Sequence, residues 1–152
     1  MLNGDMEEDL DNLAFRFFKL FAQYESTLKE RDFFRVNGGR IVVDWNRFAT
    51  HVVGTTFKKD LNDLRLSADY ILQNPPMKQA VNADGKIIWE PVSNVDQSVQ
   101  ALFGHICRTR NNLFHGAKFN GTWFSPERSE ALIQHSLAIL EHYSPWLSIN
   151  DI

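Results

Sequence analysis

The stretch VDQSVQALFGHICRTRNNLFHG, residues 95–116, decides the fold. Val99, Leu102, Phe103, Ile106 and Leu113 fall on one side of a 3.6-residue period, which is the apolar stripe of a helix. Asn94 and Gln97 form a capping box ahead of it. Gly116 stands where a left-handed residue closes a helix. The spacing therefore predicts a helix over 95–115. Arg110 lies four residues after Ile106 and continues the stripe. A permanent charge on a bundle-facing stripe is costly unless it is paired or turned to a cleft.

Outward from this helix, three more stripes recur at the same period. Leu10, Leu13, Ala14, Phe17, Leu20, Phe21, Tyr24 and Leu28 predict a long helix over 7–31, widened by Phe18. Phe57, Leu61, Leu64, Ala68, Ile71 and Leu72 predict another over 57–73, ended by Pro75 and Pro76. Ser125, Pro126 and Glu127 supply an N-cap, a first-turn proline and a first-turn acid for the last, with Leu132, Ile133, Leu137, Ile139, Leu140 and Tyr143 facing inward and Pro145 ending it. Between the first two, Asn37-Gly38-Gly39 reads as a turn and Arg40 to Val43 as a short strand. Asp44 caps a short helix carrying Trp45, Phe48, Ala49, Val52 and Val53, interrupted at Gly54. Residues 77–91 read as a small hairpin turning at Asp84-Gly85. Amphipathic helices bury their stripes only against one another. The expected fold is therefore mainly all-α, a four-to-five-helix bundle with a short β excursion, over one domain of residues 1–152.

Composition narrows the function. The chain has 152 residues, 43% of them hydrophobic, enough for one core. No apolar run approaches the ~18 residues that span a bilayer, so no membrane partner is expected. The acidic start MLNGDMEEDLD fits neither a secretory signal nor a transit peptide, and the chain is expected in the cytoplasm. Net charge is −3, so no general attraction to nucleic acid exists, and any RNA site must be local. Cys107 reads as a small buried hydrophobe. No HExxH or CxxC spacing appears, so no metal and no other cofactor is expected.

The segment Arg110-Asn111-Asn112-Leu113-Phe114-His115-Gly116 carries the chemistry. Asn111 and His115 are four apart and share a helix face. His115 sits at the helix end, where the dipole favours imidazolium, and Arg110 reaches toward the same end. A guanidinium, an amide and an imidazole suit attack of an RNA 2′-hydroxyl on its own phosphate. Histidine is the acid or base near neutral pH, and arginine forks onto phosphate oxygens. The Arg-to-His spacing alone is weak. Arg128 and His135 repeat it loosely, without the asparagine or the glycine, and read as a solvated face.

RNNLFHG followed by Ala117-Lys118 resembles the signature of the HEPN superfamily, Arg–polar–x–x–x–His near the end of the third bundle helix. FFKLFAQYE, VDWNRFA and YILQNPPMKQ followed by the Trp89 strand look like one bacterial branch of it. The resemblance covers about 10–143 in element order. It implies a HEPN-type bundle that forms a homodimer with two Arg–His motifs facing one cleft. It further implies a metal-independent endoribonuclease of toxin or anti-phage systems, held in check by an antitoxin or other regulatory protein. On that basis Arg110 is the phosphate-binding arginine, Asn111 its polar partner and His115 the catalytic histidine. Lys118, Arg108 and Trp123 are candidate RNA contacts. In one toxin pattern of the family a tyrosine two residues after the histidine is adenylylated. Ala117 stands there, which puts that control in doubt. Some family members only bind RNA or nucleotides, so a non-catalytic binding module and a structural dimerisation domain remain open beside the enzyme.

Overall fold

A computed structural model describes residues 4–115, 118–119, 122–123 and 126–148, with side chains over 9–114 and 126–148. It is a mainly-α bundle. Six α-helices occur among the described residues: α1 (Gly4–Glu30), α2 (Trp45–Phe48), α3 (Phe57–Leu61), α4 (Arg65–Gln73), α5 (Val99–His115) and α6 (Pro126–Tyr143). Three two-stranded antiparallel hairpins decorate it: β1 (Phe34–Asn37) with β2 (Arg40–Val43), β3 (Lys78–Val81) with β4 (Ile87–Glu90), and β5 (Lys118–Phe119) with β6 (Thr122–Trp123). α6 packs on α1 and α4, while α5 packs on α4, on α2 and on the turn that follows α2.

The core follows the apolar stripes. Leu10, Ala14, Phe17, Phe21, Tyr24 and Leu28 of α1 are all buried. They meet Phe48, Phe103 and Ile106 in one cluster. Trp45 fills the joint between α1 and α5, 4.9 Å from the Phe21 ring and 6.1 Å from Phe103. The Tyr24 hydroxyl is too deep for water and donates to the Leu140 carbonyl at 2.5 Å, tying α1 to α6. Arg31 holds the closing 3-10 turn Ser144–Ser148, donating to the Trp146 and Leu147 carbonyls with its guanidinium over the Trp146 ring.

Several sequence expectations hold at the level of single bonds. Asp44 caps α2 by accepting from the Arg47 amide at 3.1 Å. The Asp84-Gly85 turn closes β3 onto β4, with Val81 opposite Ile87 and Asn82 accepting from the amides of Asp84 and Lys86. The strand at Arg40–Val43 is β2, and its partner β1 extends the reading.

Two elements differ. The 57–73 helix is broken at Asn62, whose φ of +52° ends α3, and a 3-10 turn leads into α4. The apolar stripe survives the break, because Leu61, Ala68, Ile71 and Leu72 are still buried. The second difference is the start of α5, at Val99 and not Val95. Asn94 and Gln97 do not form a capping box. Their side-chain amides reach back to the Gln73 and Leu72 carbonyls, each at 3.3 Å, and satisfy the open C-terminal end of α4. Ser98 caps α5 instead, its hydroxyl accepting from the Ala101 amide. The expected caps Gly116 and Ser125 lie outside the described residues.

Candidate functional site

The last two turns of α5 bring Arg110 and Asn111 together. Arg110 is half-buried. Its guanidinium carbon lies 5.4 Å from the Phe21 ring centre and 5.3 Å from that of Phe114. Its Nη1 donates to Asn111 Oδ1 at 3.0 Å. Two aromatic faces offset part of the desolvation of the charge, by about 0.5–2 kcal/mol each depending on exposure. None of the ion pairs among the described residues involves Arg110. The cost of a charge on the stripe is thus met by rings and one amide, and no carboxylate among the described residues pairs with it. His115 is the last residue of α5, four positions after Asn111, and its side chain lies outside the described residues.

The other candidates divide. Lys118 and Trp123 face each other in the register of the β5–β6 hairpin directly after α5, so the backbone brings them to one place beside the helix end. Their side chains lie outside the described residues. Arg108 is two residues from Arg110 and therefore points to another side of α5. It is half-buried, with a buried Nε that has no hydrogen-bond partner among the described residues. His105, one turn earlier, is buried; burial first and the Arg108 charge second push its pKa below the usual value. Cys107 is half-buried and its thiol pKa is raised, mainly by burial and then by Glu25, which suits an unreactive packing residue. Among the described residues no three His, Cys, Asp or Glu side chains gather as a metal-ion set. None of the described helices is long and apolar enough to cross a membrane.

Arg128 and His135 are not a merely solvated face. Arg128 is exposed, yet its Nη2 donates to the Pro75 carbonyl at 2.7 Å. His135 is half-buried between α6 and α4, with Nδ1 2.9 Å from the Ser67 hydroxyl and its ring 4.5 Å from that of Tyr70. Both residues follow from the docking of α4 on α6, which spacing along α6 alone does not reveal.

Sequence reasoning missed three contributors here. Phe114 is four residues after Arg110, so helical spacing was a usable signal for that contact. Phe21 is on another helix and nothing local marks it. Asn112 was read only as part of the motif, but its Nδ2 donates to the Met77 carbonyl at 2.7 Å and fixes the chain leaving α4. Beside that bond lies an open groove, with a cavity volume of about 60 Å³, between the β3–β4 hairpin, the end of α5 and the start of α6.

No protein-family model, no curated protein and no solved structure matches the chain.

Proposed function

We propose that the chain is a metal-independent endoribonuclease of the HEPN kind, acting in a toxin or anti-phage setting as a homodimer, with Arg110, Asn111 and His115 as its reacting set. The observation that carries this reading is the state of Arg110. Its guanidinium is oriented by Phe21, Phe114 and Asn111, and none of the ion pairs among the described residues neutralises it. A fixed, unneutralised guanidinium at the end of a helix that also carries a histidine suits a phosphodiester.

In the reaction, the 2′-oxygen bonds to the adjacent phosphorus as its proton passes to a neutral imidazole. The bond from phosphorus to the 5′-oxygen breaks, and an imidazolium protonates the leaving oxygen. Two chains supply two His115 imidazoles for the two roles. Arg110 binds the non-bridging oxygens, whose charge grows in the phosphorane, and Asn111 holds Arg110 in line. The products are a 2′,3′-cyclic phosphate and a 5′-hydroxyl. An antitoxin or other regulatory protein is the expected restraint in the cell.

The test is RNA cleavage by purified protein in excess EDTA, beside Arg110→Ala and His115→Ala. Cleavage by wild type alone with 2′,3′-cyclic ends is the expected result. Each variant should lose at least about a hundredfold, the usual worth of an acid–base group or a charge clamp. A folded wild type that cuts no RNA but is stabilised by it against heat is a binding module instead.

A further inference from the structure

We propose that the outer edge of the β1–β2 hairpin takes up, as a third strand, an extended segment of a partner protein in which acidic and aliphatic residues alternate. This surface is independent of the ribonuclease reading; under that reading it is where a regulatory protein docks.

The hairpin is a two-stranded sheet with no third strand beside it among the described residues. Gly38 and Gly39, at φ +57° and +78°, close it in a two-residue turn that fixes the register. One pair beyond that register, the Asp44 amide donates to the Phe33 carbonyl at 2.9 Å, so Phe33 and Asp44 form a hydrogen-bonded pair. Such pairs alternate along an antiparallel ladder. Arg35 therefore bonds inward to Val42, while Phe34 and Val36 turn their N–H and C=O groups away from β2. α1 packs against β2, which leaves β1 as the outer strand. Arg35, Val36 and Asn37 of β1 are exposed. β1 carries neither a proline nor a bulge, two of the devices that close an edge to another chain.

The two faces of the hairpin differ in chemistry, and the difference selects the occupant. On one face Val36 and Ile41 lie opposite each other, 67% and 60% exposed. On the other face Arg35, Asn37 and Arg40 are exposed, and none of the ion pairs among the described residues uses either arginine. An added strand sends its side chains alternately to the two faces. Aliphatic residues beside Phe34 and Val36 extend the apolar face. An acidic residue beside Arg35 meets its guanidinium. A second beside Asn37 comes within reach of Arg40, since strands two apart are separated by about 9–10 Å, a gap that an arginine and a glutamate span together. Basic segments are repelled, so the arginines close the edge to some strands and open it to acidic ones. Main-chain bonds at Phe34 and Val36 hold the segment, and the alternation sets its identity. RNA uses the guanidiniums, but it uses neither the apolar pair nor the outward main-chain groups.

The probe is an acetylated, amidated hexapeptide of alternating valine and glutamate, added to isotope-labelled full-length protein and followed by amide NMR. One control carries lysine in place of glutamate; the other has the same six residues as three valines followed by three glutamates. The expected result is a saturable shift confined to residues 33–44. Hydrogen exchange should slow at the Phe34 and Val36 amides and change little at that of Arg35, already bonded within the hairpin. Val36→Pro removes one outward N–H and no ladder bond, so the hairpin should persist and binding should be lost. Arg35→Glu should weaken the glutamate peptide about fivefold or more and favour the lysine control. The proposal is overturned if the glutamate peptide moves nothing up to about 1 mM, or if either control binds equally well. It is also overturned if shifts occur without slowed exchange at Phe34 and Val36, which marks charge attraction alone. A 2′-O-methylated oligouridylate that moves the same amides at lower concentration than the peptide assigns the hairpin to RNA and overturns it too. Shifts of these amides on diluting the protein alone assign the edge to a second copy, with the same consequence. Peptide binding without RNA cleavage leaves this proposal standing and removes the ribonuclease reading; cleavage with a silent hairpin does the reverse.

Discussion

Asn111 and Asn112 are neighbours of the same type with opposite work. Asn111 is exposed and its Oδ1 accepts from Arg110; Asn112 is half-buried and its Nδ2 bridges to the Met77 carbonyl 35 residues away. Asn112→Ala removes a part-buried hydrogen bond and should cost about 1 kcal/mol. In a chain of this size that lowers Tm by roughly 2–4 °C. Asn111→Ala should leave Tm unchanged and slow RNA cleavage about tenfold, because only the aim of Arg110 is lost. Calorimetry and initial rates on the two variants check the pair. Equal loss of Tm from both would remove the division of labour. The Arg110 half of this site was legible in the sequence, since a charge on an apolar stripe demands an explanation. The Asn112 half was not, because its partner is a backbone carbonyl reached only after α5 docks against the end of α4.

At the scale of elements, the joint between α4 and α6 is sensitive to pH. Ser67 of α4 is hydrogen-bonded to His135 of α6, and Tyr70 packs against the same imidazole. Burial lowers the pKa of His135; burial and then Arg108 lower that of His105 on α5. Below the unfolded value of about 6.5 the unfolded chain binds more protons at these sites than the folded one. Stability is therefore full above that pH and is lost as pH falls toward the folded values. Urea midpoints near pH 7.5 and near pH 5.5 should differ, with the lower midpoint at the lower pH. His135→Gln should shrink the difference, whereas an unchanged difference would assign it to His105 or to other groups. The helices that meet here were read from their apolar period, and the period was reliable where side chains are buried. It could not see the break at Asn62, because a 3-10 turn kept Leu61, Ala68 and Ile71 on the core side. Nor could it see that Asn94 and Gln97 serve the end of α4, since a capping box and a reach-back to a distant helix share one local pattern.

For the whole molecule, charge and symmetry set the problem. A net charge of −3 gives RNA no general attraction, so the proposed RNA recognition rests on the local field of a few arginines. One chain contributes one Arg110 and one His115 at the end of α5, whereas the proposed reaction uses an acid and a base together. A two-fold dimer that opposes the two α5 ends supplies both from a single self-complementary surface. That arrangement makes a prediction no single-chain site shares. His115→Ala homodimers should be inactive. When equal amounts of wild type and His115→Ala are mixed, dissociated and reassembled, about half of the dimers hold a single His115 and lack either the acid or the base. Cleavage by the mixture should then fall to about a quarter of that of the same total amount of wild type. If it falls only to about a half while light scattering shows exchanged dimers, each chain cuts with its own His115 alone and the site is not shared. If light scattering finds only monomers at micromolar concentration, the shared cleft itself is wrong, and Arg110 and His115 must be judged as the equipment of one chain.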